Sequence, residues 1–327
     1  MSFNYITEFD YNQIRQTIDA ESTYLAWRRA RADLLEVRGT MFWREQDGRT
    51  YLIRRSTSGA QKSLGPQSEE TDAILRRFTA RKESAQDREK SLRAQVDLHR
   101  RMNRALGLGR ISPTAVAVIN ALDQQGVAEQ FRVVGTYALF AYAAAARVHL
   151  APSATATLDV DFLLDMRKRL SFLRTMGQAN QSLLGLLQQV DPSFRLRDGQ
   201  RCTAANGAGF EVDVIRRMVA EDDPHPLRVT DQGEDDFWAV QAPMGSTLQD
   251  GGLMQQVVIA TDGRMALMRT VAPDVFCRVK AAIAKRSDRD PGKARRDHMQ
   301  VQLVTDLVRG YLPQWSVPMS ASQPPTE

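Results

Sequence analysis

The chain has 327 residues, of which 43% are hydrophobic and 25% are charged, so it can bury a core without disulfides or structural metal. Its two cysteines and four histidines are scattered, which excludes a disulfide framework and a zinc site. The N-terminus lacks the pattern of a signal peptide, and the most apolar stretch, 137–146, is too short to span a bilayer. We therefore expect a cytoplasmic protein with no membrane partner. The net charge of +5 favours an anionic partner such as a nucleotide or nucleic acid, although an inert basic surface fits equally well.

Residues 1–110 are expected to form an N-terminal helical region that carries a β-hairpin at 38–55. Apolar residues at helical spacing predict a helix over 10–36. Two β-rich runs flank Asp47-Gly48, a dipeptide typical of tight hairpin turns, and a loop is predicted over 56–65.

A long charged helix is predicted over 68–105, with a break near Ser84 as an option. Between Asp72 and Arg104, ten lysines and arginines stand against five acids, and this excess equals the net charge of the whole chain. Charge runs on helices are usually solvated faces, and this interpretation is favoured. The alternative is a surface that guides a nucleic-acid backbone.

Residues 111–220 alternate apolar helices with short apolar strands, and a second β-rich piece follows. Together, residues 111–272 are expected to form a core of mixed α and β structure. The predicted helices are 113–126, 136–149 and 166–189, and the predicted strands are 131–134, 157–164, 208–215, 237–241, 256–260 and 264–270. A C-terminal helical region is expected over 273–315. The Pro/Ser-rich tail, 316–327, has the composition of a disordered segment.

Two carboxylates, Asp159 and Asp161, lie two residues apart within an apolar strand. Because a strand has a period of two, both point to the same side, with Cα atoms about 6.5–7 Å apart. Like charges on one buried face are costly unless a counter-charge is present, and a divalent cation supplies one. Taken alone, the pair fits a metal site and a strand-end cap about equally well.

The strand predicted at 208–215 adds a third carboxylate, Asp213, between two valines. Three carboxylates from two neighbouring strands are what a two-metal site requires, and hard oxygen ligands favour Mg²⁺ or Mn²⁺. Glu211 shares the face of Asp213 as a weaker ligand or a rim residue. Asp165, by contrast, is interpreted as a helix N-cap.

Upstream of these acids, a predicted strand ends in Gly135-Thr136 and a helix begins at once. Glycine allows close approach of a ligand, and a helix N-terminus offers N–H groups to phosphates. Thr136 also has the character of an ordinary N-cap, which would explain the pair without a ligand.

In this order, strand, Gly-Thr, helix, Thr-x-Asp-x-Asp and a later strand Asp, the chain resembles the minimal nucleotidyltransferases of the DNA polymerase β superfamily. These enzymes typically carry Gly-Gly or Gly-Ser at this turn, and threonine keeps the hydroxyl. The segments VVGTYALFAYAAAARV and ATLDVDFLLD resemble a poorly characterised bacterial family of such enzymes, a likeness that extends over most of the chain to PDVFCRVKAAIAKRSDRDPGKARRDHMQ. A more distant resemblance is to the nucleotidyltransferase toxins of type IV abortive-infection systems.

The resemblance implies an α+β fold. Its centre would be a polymerase β-type core, a mixed sheet with flanking helices. The N-terminal helix and hairpin region and the C-terminal helices would be additions to that core.

The resemblance also assigns roles in the C-terminal segment. It implies that Lys280 binds the phosphates of the nucleotide, that Lys293 and Arg296 are weaker candidates, and that Asp297 orients Lys280. Independently, Lys280 lies on an otherwise apolar helix, where its ammonium group needs an anionic partner. For Lys293, Arg295 and Arg296 a solvated basic loop is an equally good interpretation.

Together these features predict transfer of a nucleoside monophosphate from an NTP, such as ATP, to an acceptor hydroxyl, with two Mg²⁺ or Mn²⁺ ions as cofactors. Gly135 and Thr136 would hold the phosphates. The acceptor would be an RNA such as tRNA, or a protein. The alternative function is a non-catalytic nucleotide sensor or nucleic-acid-binding regulator on the same fold. A toxin or defence role with a cognate partner protein is compatible with the hypothesis of nucleotidyl transfer.

Overall fold

The computed structural model describes residues 5–218, 227–230 and 236–315. The tail predicted to be disordered, 316–327, lies outside the described residues. No helix in the described part of the chain is both long and apolar enough to cross a bilayer.

The secondary structure consists of the following helices and strands, apart from short 3₁₀ turns. The helices are α1 (Tyr11–Glu36), α2 (Glu69–Ala105), α3 (Pro113–Gln124), α4 (Ala138–Ala146), α5 (Pro152–Thr155), α6 (Arg169–Gln178), α7 (Leu183–Val190), α8 (Gly245–Asp250), α9 (Pro273–Ala284) and α10 (Pro291–Tyr311). The strands are β1 (Ile6–Glu8), β2 (Thr40–Gln46), β3 (Arg49–Arg55), β4 (Gln61–Pro66), β5 (Phe131–Val134), β6 (Val148–Leu150), β7 (Asp159–Leu164), β8 (Arg195–Arg197), β9 (Gln200–Ala205), β10 (Glu211–Arg216), β11 (Leu227–Arg228), β12 (Trp238–Gln241), β13 (Leu253–Ile259) and β14 (Met265–Val271).

The chain divides into two compact units. The smaller unit is Arg15–Leu106, and the larger unit combines Met1–Ile14 with Gly107–Glu327.

The smaller unit contains most of α1, the whole of α2, and an antiparallel sheet in the order β2-β3-β4. The predicted hairpin is confirmed: its turn residues, Asp47 and Gly48, have φ angles of 50° and 70°, as a tight hairpin turn requires. The loop predicted over 56–65 was wrong in its second half, because β4 pairs with β3. The break considered at Ser84 is also wrong, since α2 is continuous and begins with a capping box between Ser68 and Thr71.

In the described part of the chain, the larger unit is built on a mixed sheet of nine strands. Seven follow the order β11-β12-β10-β7-β5-β14-β13, while β9 pairs with β10 and β8 pairs with β9. Strand β7 runs parallel to β10 and antiparallel to β5, so it lies at the centre of the sheet. The predicted mixed sheet with flanking helices, and hence the coarse α+β class, is confirmed.

Two helix predictions in this unit were too long, because left-handed residues end the helices early. Arg147, with a φ of 57°, ends α4, and the chain then forms β6 instead of continuing to 149. Asn180, with a φ of 48°, lies between α6 and α7, so the helix predicted over 166–189 is two helices. Left-handed backbone cannot continue a right-handed helix.

The C-terminal helical region consists of α9 and α10, which residues 285–290 separate; Pro291 disfavours helical backbone at the residue before it. The strand predicted from 208 begins at 211, and the short strands β8 and β9 were not predicted.

The strands of the large sheet place alternate residues in two hydrophobic clusters. On β7, Val160, Phe162 and Leu164 face the cluster that contains residues of α3 and α7. Leu163 faces the other cluster, which contains residues of α4, α9 and α10. Because Asp159 and Asp161 share the parity of Leu163, their carboxylates point to the side of the sheet covered by α4, α9 and α10.

Candidate metal and nucleotide site

The predicted acids meet at the centre of the large sheet. In the parallel pair of β7 and β10, Asp213 lies beside Asp161, and Glu211 lies beside Asp159. One carboxylate oxygen from each of Asp159, Asp161 and Asp213 lies within 4.8 Å of the other two, an arrangement that could hold a metal ion. The structure thus brings together the three residues that the sequence singles out.

The carboxylates of this cluster are buried close to one another, and this shifts their pKa values. Burial, together with the neighbouring carboxylates of Asp159 and Asp213, raises the pKa of Asp161 to about 7, although Lys280 opposes the shift. Burial also raises the pKa of Asp213, against the hydrogen bond from Thr203. A divalent cation would relieve this repulsion.

Two threonine hydroxyls donate hydrogen bonds to the acids. Thr157 donates to Oδ1 of Asp159, and Thr203, on β9, donates to Oδ1 of Asp213. Each bond leaves the second carboxylate oxygen free to act as a ligand and restricts the rotation of the side chain. Neither hydroxyl was assigned from the sequence. Thr157 was visible two residues before Asp159, but Thr203 lies on a strand that was not predicted.

Gly135 lies at the end of β5, where the strand contacts the cluster. Its φ is +66°, and a Cβ atom at this position would lie 2.3 Å from Oδ2 of Asp161. A side chain would therefore enter the space next to the carboxylate, and only glycine leaves that space open.

Thr136 is the second residue of the 3₁₀ turn Gly135–Tyr137, and no side-chain cap bond is made there. The interpretation of Thr136 as a simple N-cap was wrong, since Tyr137 is the N-cap of α4. The hydroxyl of Thr136 instead accepts a hydrogen bond from Nε2 of the fully buried Gln300 at 3.3 Å. Gln300 also donates to the carbonyl oxygen of Ala154 at 2.8 Å.

A cavity of about 390 Å³ opens in front of the cluster. Asp159, Asp161 and the Gly135-Thr136 turn line one side. The remaining wall is partly apolar and partly basic. Its charged members are Lys280, Arg289, Lys293 and Arg296, with Asp297 among them.

Asp297 holds two of these cations. Nζ of Lys280 donates to Oδ1 of Asp297 at 2.8 Å, as expected for a residue that orients Lys280. Arg289 donates to Oδ2 of Asp297 through Nε at 2.9 Å and Nη2 at 2.7 Å. Asp297 is only 1% exposed, so the surrounding protein restricts the position of its carboxylate. Arg289 was not predicted from the sequence, because it lies in a charged segment between two helices.

The other basic candidates, Lys293, Arg295 and Arg296, have other positions than Lys280 and Arg289. Lys293 is exposed and lines the cavity, and its backbone N–H donates to Oδ1 of Asp290. Arg296 lines the cavity and donates through Nη2 to the carbonyl oxygen of Ala156, just before the Asp159 strand. Arg295 is exposed and is not part of the cavity wall.

Two other acids were interpreted in the sequence, Glu211 as a weaker ligand or rim residue and Asp165 as a helix cap, and each has a partner within the protein. Glu211 forms an ion pair with Arg197, with 3.0 Å between Oε1 and Nη1. Asp165 accepts the backbone N–H of Arg167 at 3.1 Å, so its interpretation as a helix cap is confirmed.

A model of the nucleotidyltransferase family matches residues 114–321. This match covers more than half of the chain, and the chain belongs to that family. The matched range includes all three acids, the Gly135 turn and the basic wall. No curated protein and no solved structure matches the chain.

Proposed function

We propose that the protein is a polymerase β-type nucleotidyltransferase that uses Mg²⁺ or Mn²⁺ to transfer a nucleoside monophosphate from an NTP to an acceptor hydroxyl. The observation that carries the proposal is a three-carboxylate cluster of which two members, Asp159 and Asp161, line the same cavity as a set of basic side chains. The acids suit divalent cations, and the basic wall suits a triphosphate. The membership of the nucleotidyltransferase family supports the same conclusion.

The residues present fit such ions. All three donors are carboxylates, which favour hard cations over zinc or copper. Burial and two neighbouring carboxylates raise the pKa of Asp161, and a bound cation would offset both effects. Asp159, Asp161 and Asp213 would hold one ion, and Asp159 and Asp161 would share a second. Bound ions would neutralise phosphate charge and lower the pKa of the acceptor hydroxyl.

The chain itself would orient the triphosphate. The Gly135-Thr136 turn, next to Asp161, would offer backbone N–H groups, and Lys280 and Arg289, which line the same cavity, would offer charged donors. Lys293 and Arg296 are further candidates at the wall of the cavity. With the triphosphate held between these groups, the α-phosphorus would lie beside the carboxylate cluster.

The reaction proposed is an in-line displacement. The acceptor hydroxyl releases its proton to water as its oxygen forms a bond to the α-phosphorus. The bond from that phosphorus to the bridging oxygen breaks, and pyrophosphate leaves with the electron pair of that bond. Lys280 and Arg289 would stabilise the charge that develops on the leaving pyrophosphate.

The test uses purified protein, Mg²⁺, each of the four α-³²P-labelled NTPs in turn, and either total bacterial RNA or lysate protein as acceptor. The variant Asp159→Asn/Asp161→Asn removes two ligands, and Asp87→Asn/Asp198→Asn makes the same change of charge at exposed positions. Label transferred by the wild type and by the surface variant only would support the proposal and name the nucleotide and the acceptor class. NTP binding without transfer under any condition would favour the nucleotide-sensor alternative.

A further inference from the structure

The sheet of the smaller unit has one face that combines arginines with aromatic rings. In the β2–β3 pairing, Phe42 is opposite Ile53, Arg44 is opposite Tyr51, and Gln46 is opposite Arg49. Paired residues and every second residue share a face, so these side chains lie on one face together with Arg55. We call it the arginine–aromatic face and define it by Phe42, Arg44, Arg49, Tyr51 and Arg55; the buried Ile53 and the exposed Gln46 lie among them.

The opposite face of the same sheet is turned towards α2. The guanidinium of Arg54 lies 5.9 Å from the ring centroid of Phe78 on that helix, and Leu52 is fully buried. Since neighbouring residues on a strand point to opposite sides, the arginine–aromatic face is turned away from α2. All three of its arginines are exposed, and its two aromatic rings are partly exposed.

Two of the arginines crowd around one ring. The guanidinium carbons of Arg44 and Arg55 each lie 5.6 Å from the ring centroid of Phe42. Arg44 also donates a hydrogen bond to the neutral side chain of Gln61. Among the residues that the structure describes, neither guanidinium has a carboxylate partner. Guanidinium groups without a carboxylate partner on one exposed face favour the binding of an anionic ligand to that face.

The face carries no acid that would repel such a ligand. Glu45 is paired with Thr50 on the opposite face, and Asp47 lies in the turn. Exposed arginines with aromatic rings between them suit single-stranded nucleic acid, because guanidinium groups bind phosphates while rings and guanidinium planes stack on unpaired bases. An acidic peptide would use the arginines but would gain little from the rings.

We propose that the arginine–aromatic face binds single-stranded RNA and thereby recruits the acceptor. This inference rests on the proposed function for its biological purpose, but the binding itself requires no catalysis. Phosphates would contact Arg44, Arg49 and Arg55, and unpaired bases would stack on Tyr51 and on the guanidinium planes above Phe42.

The experiment measures binding of the full-length protein to a fluorescein-labelled single-stranded RNA of about 12 nucleotides by anisotropy, without NTP, from about 50 to about 200 mM salt. Arg44→Gln/Arg55→Gln should weaken binding by about tenfold or more and reduce the salt slope by about 1 to 2. Tyr51→Leu, which keeps an apolar side chain but removes the ring, should weaken binding about tenfold at every salt concentration.

The matched control is Arg76→Gln/Arg77→Gln, which removes the same charge from exposed positions on α2. It should bind RNA nearly as the wild type does. Equal losses in the two double variants would show general electrostatic attraction and would overturn the assignment to this face. Tighter binding of a poly-glutamate peptide, or of single-stranded DNA, would overturn the choice of RNA.

The Asp159→Asn/Asp161→Asn variant separates this inference from the proposed function. It should bind the RNA as the wild type does although it transfers no label. RNA binding that is absent or independent of salt, in a protein that still transfers nucleotides, would overturn the RNA face while leaving the enzymatic proposal standing.

Discussion

Gly135 and Asp161 fit together so closely that a single added carbon would not be accommodated: a Cβ atom on Gly135 would lie 2.3 Å from Oδ2 of Asp161. Gly135 directly follows β5, and Asp161 lies on the adjacent antiparallel strand β7, where it pairs with Val134. The chain turns away from the sheet at Gly135 with a φ of +66°, so glycine satisfies two requirements at once, the left-handed backbone and the open space beside the carboxylate.

Replacing Gly135 with alanine is therefore expected to displace the Asp161 carboxylate and damage the metal site. We expect the affinity for Mn²⁺, measured by calorimetry, to fall about tenfold or more, and nucleotide transfer to fall with it. The left-handed backbone adds a cost of about 1–2 kcal/mol in the free energy of unfolding.

Gly126→Ala is the matched control. Gly126 has a φ of +78°, and nothing lies within 4 Å of the position that a Cβ atom would take. It should show the same backbone cost without a change in Mn²⁺ affinity. If the two alanine variants bound Mn²⁺ equally well, the clash with Asp161 would not be what makes Gly135 necessary.

The raised pKa of Asp161 predicts how metal binding depends on pH. In the metal-free protein its carboxyl group titrates at a pKa of about 7, so below that pH a cation must displace a proton in order to bind. The apparent affinity for Mn²⁺ should fall about tenfold for each pH unit below about 7 and level off above it. Calorimetric titrations over this range in two buffers would also measure the released proton. Affinity that does not change with pH would contradict the shift.

The same group predicts a pH-dependent instability of the metal-free protein. The pKa of Asp161 is about 7 in the folded state against 3.8 for an unperturbed aspartate, so the folded state holds the proton more tightly. Its contribution to stability is therefore lost as the pH rises from about 4 through about 7. In the presence of a chelator, Asp161→Asn should be more stable than the wild type near pH 8, and this advantage should shrink towards pH 4. The exposed Asp198→Asn should show no such trend in urea unfolding.

The central part of this site could be read from the sequence because it depends on strand periodicity alone. Asp159 and Asp161 share a face at any position of their strand in the sheet. The placement of Asp213 beside Asp161 depends on the parallel pairing of β7 with β10, which is a property of the topology. The sequence could predict the third acid as a candidate, but it could not predict the register that brings it to the others.

The parts that were missed depend on contacts between distant segments. Thr203 reaches Asp213 from β9, a short strand with too little apolar alternation to be recognised. Arg289 contacts Asp297 because the chain reverses between α9 and α10, and a charged segment of this kind resembles a solvated loop in sequence. The apolar residues on both sides of Asn180 continue at helical spacing, so the sequence pattern did not show that the left-handed backbone of Asn180 divides this segment into two helices.

The hydroxyl of Thr203 predicts a dependence of metal binding on a residue that would not contact the ion. Thr203→Val keeps the shape of the side chain but removes the hydrogen bond to Asp213, so the carboxylate would be less well oriented. We expect Mn²⁺ affinity to fall about tenfold to a hundredfold, with the fold retained in circular dichroism. Thr305→Val, which removes an exposed hydroxyl bonded to the carbonyl of Val301, should leave the affinity unchanged. Wild-type affinity in Thr203→Val would show that Asp213 is oriented without this bond.

The shared carboxylate of Asp297 predicts that Lys280 and Arg289 act together on the nucleotide. Both cations contact Asp297 and line the cavity, so both are directed at the position proposed for the triphosphate. Lys280→Ala and Arg289→Ala should each weaken binding of a non-cleavable NTP analogue about tenfold in calorimetry, since charge-assisted hydrogen bonds to phosphate are among the stronger ones.

Asp297→Asn completes this experiment, and Arg286→Ala is its control. Asparagine leaves both cations in place but removes the charge that orients them, so we expect weaker NTP binding together with a loss of about 1–3 kcal/mol in the free energy of unfolding. Arg286 is paired with Asp288 in the same exposed segment and does not line the cavity, so its removal should not change NTP binding. If Arg289→Ala bound the analogue as well as Arg286→Ala, Arg289 would serve only to hold Asp297, and Lys280 alone would remain as the proposed phosphate ligand on α9.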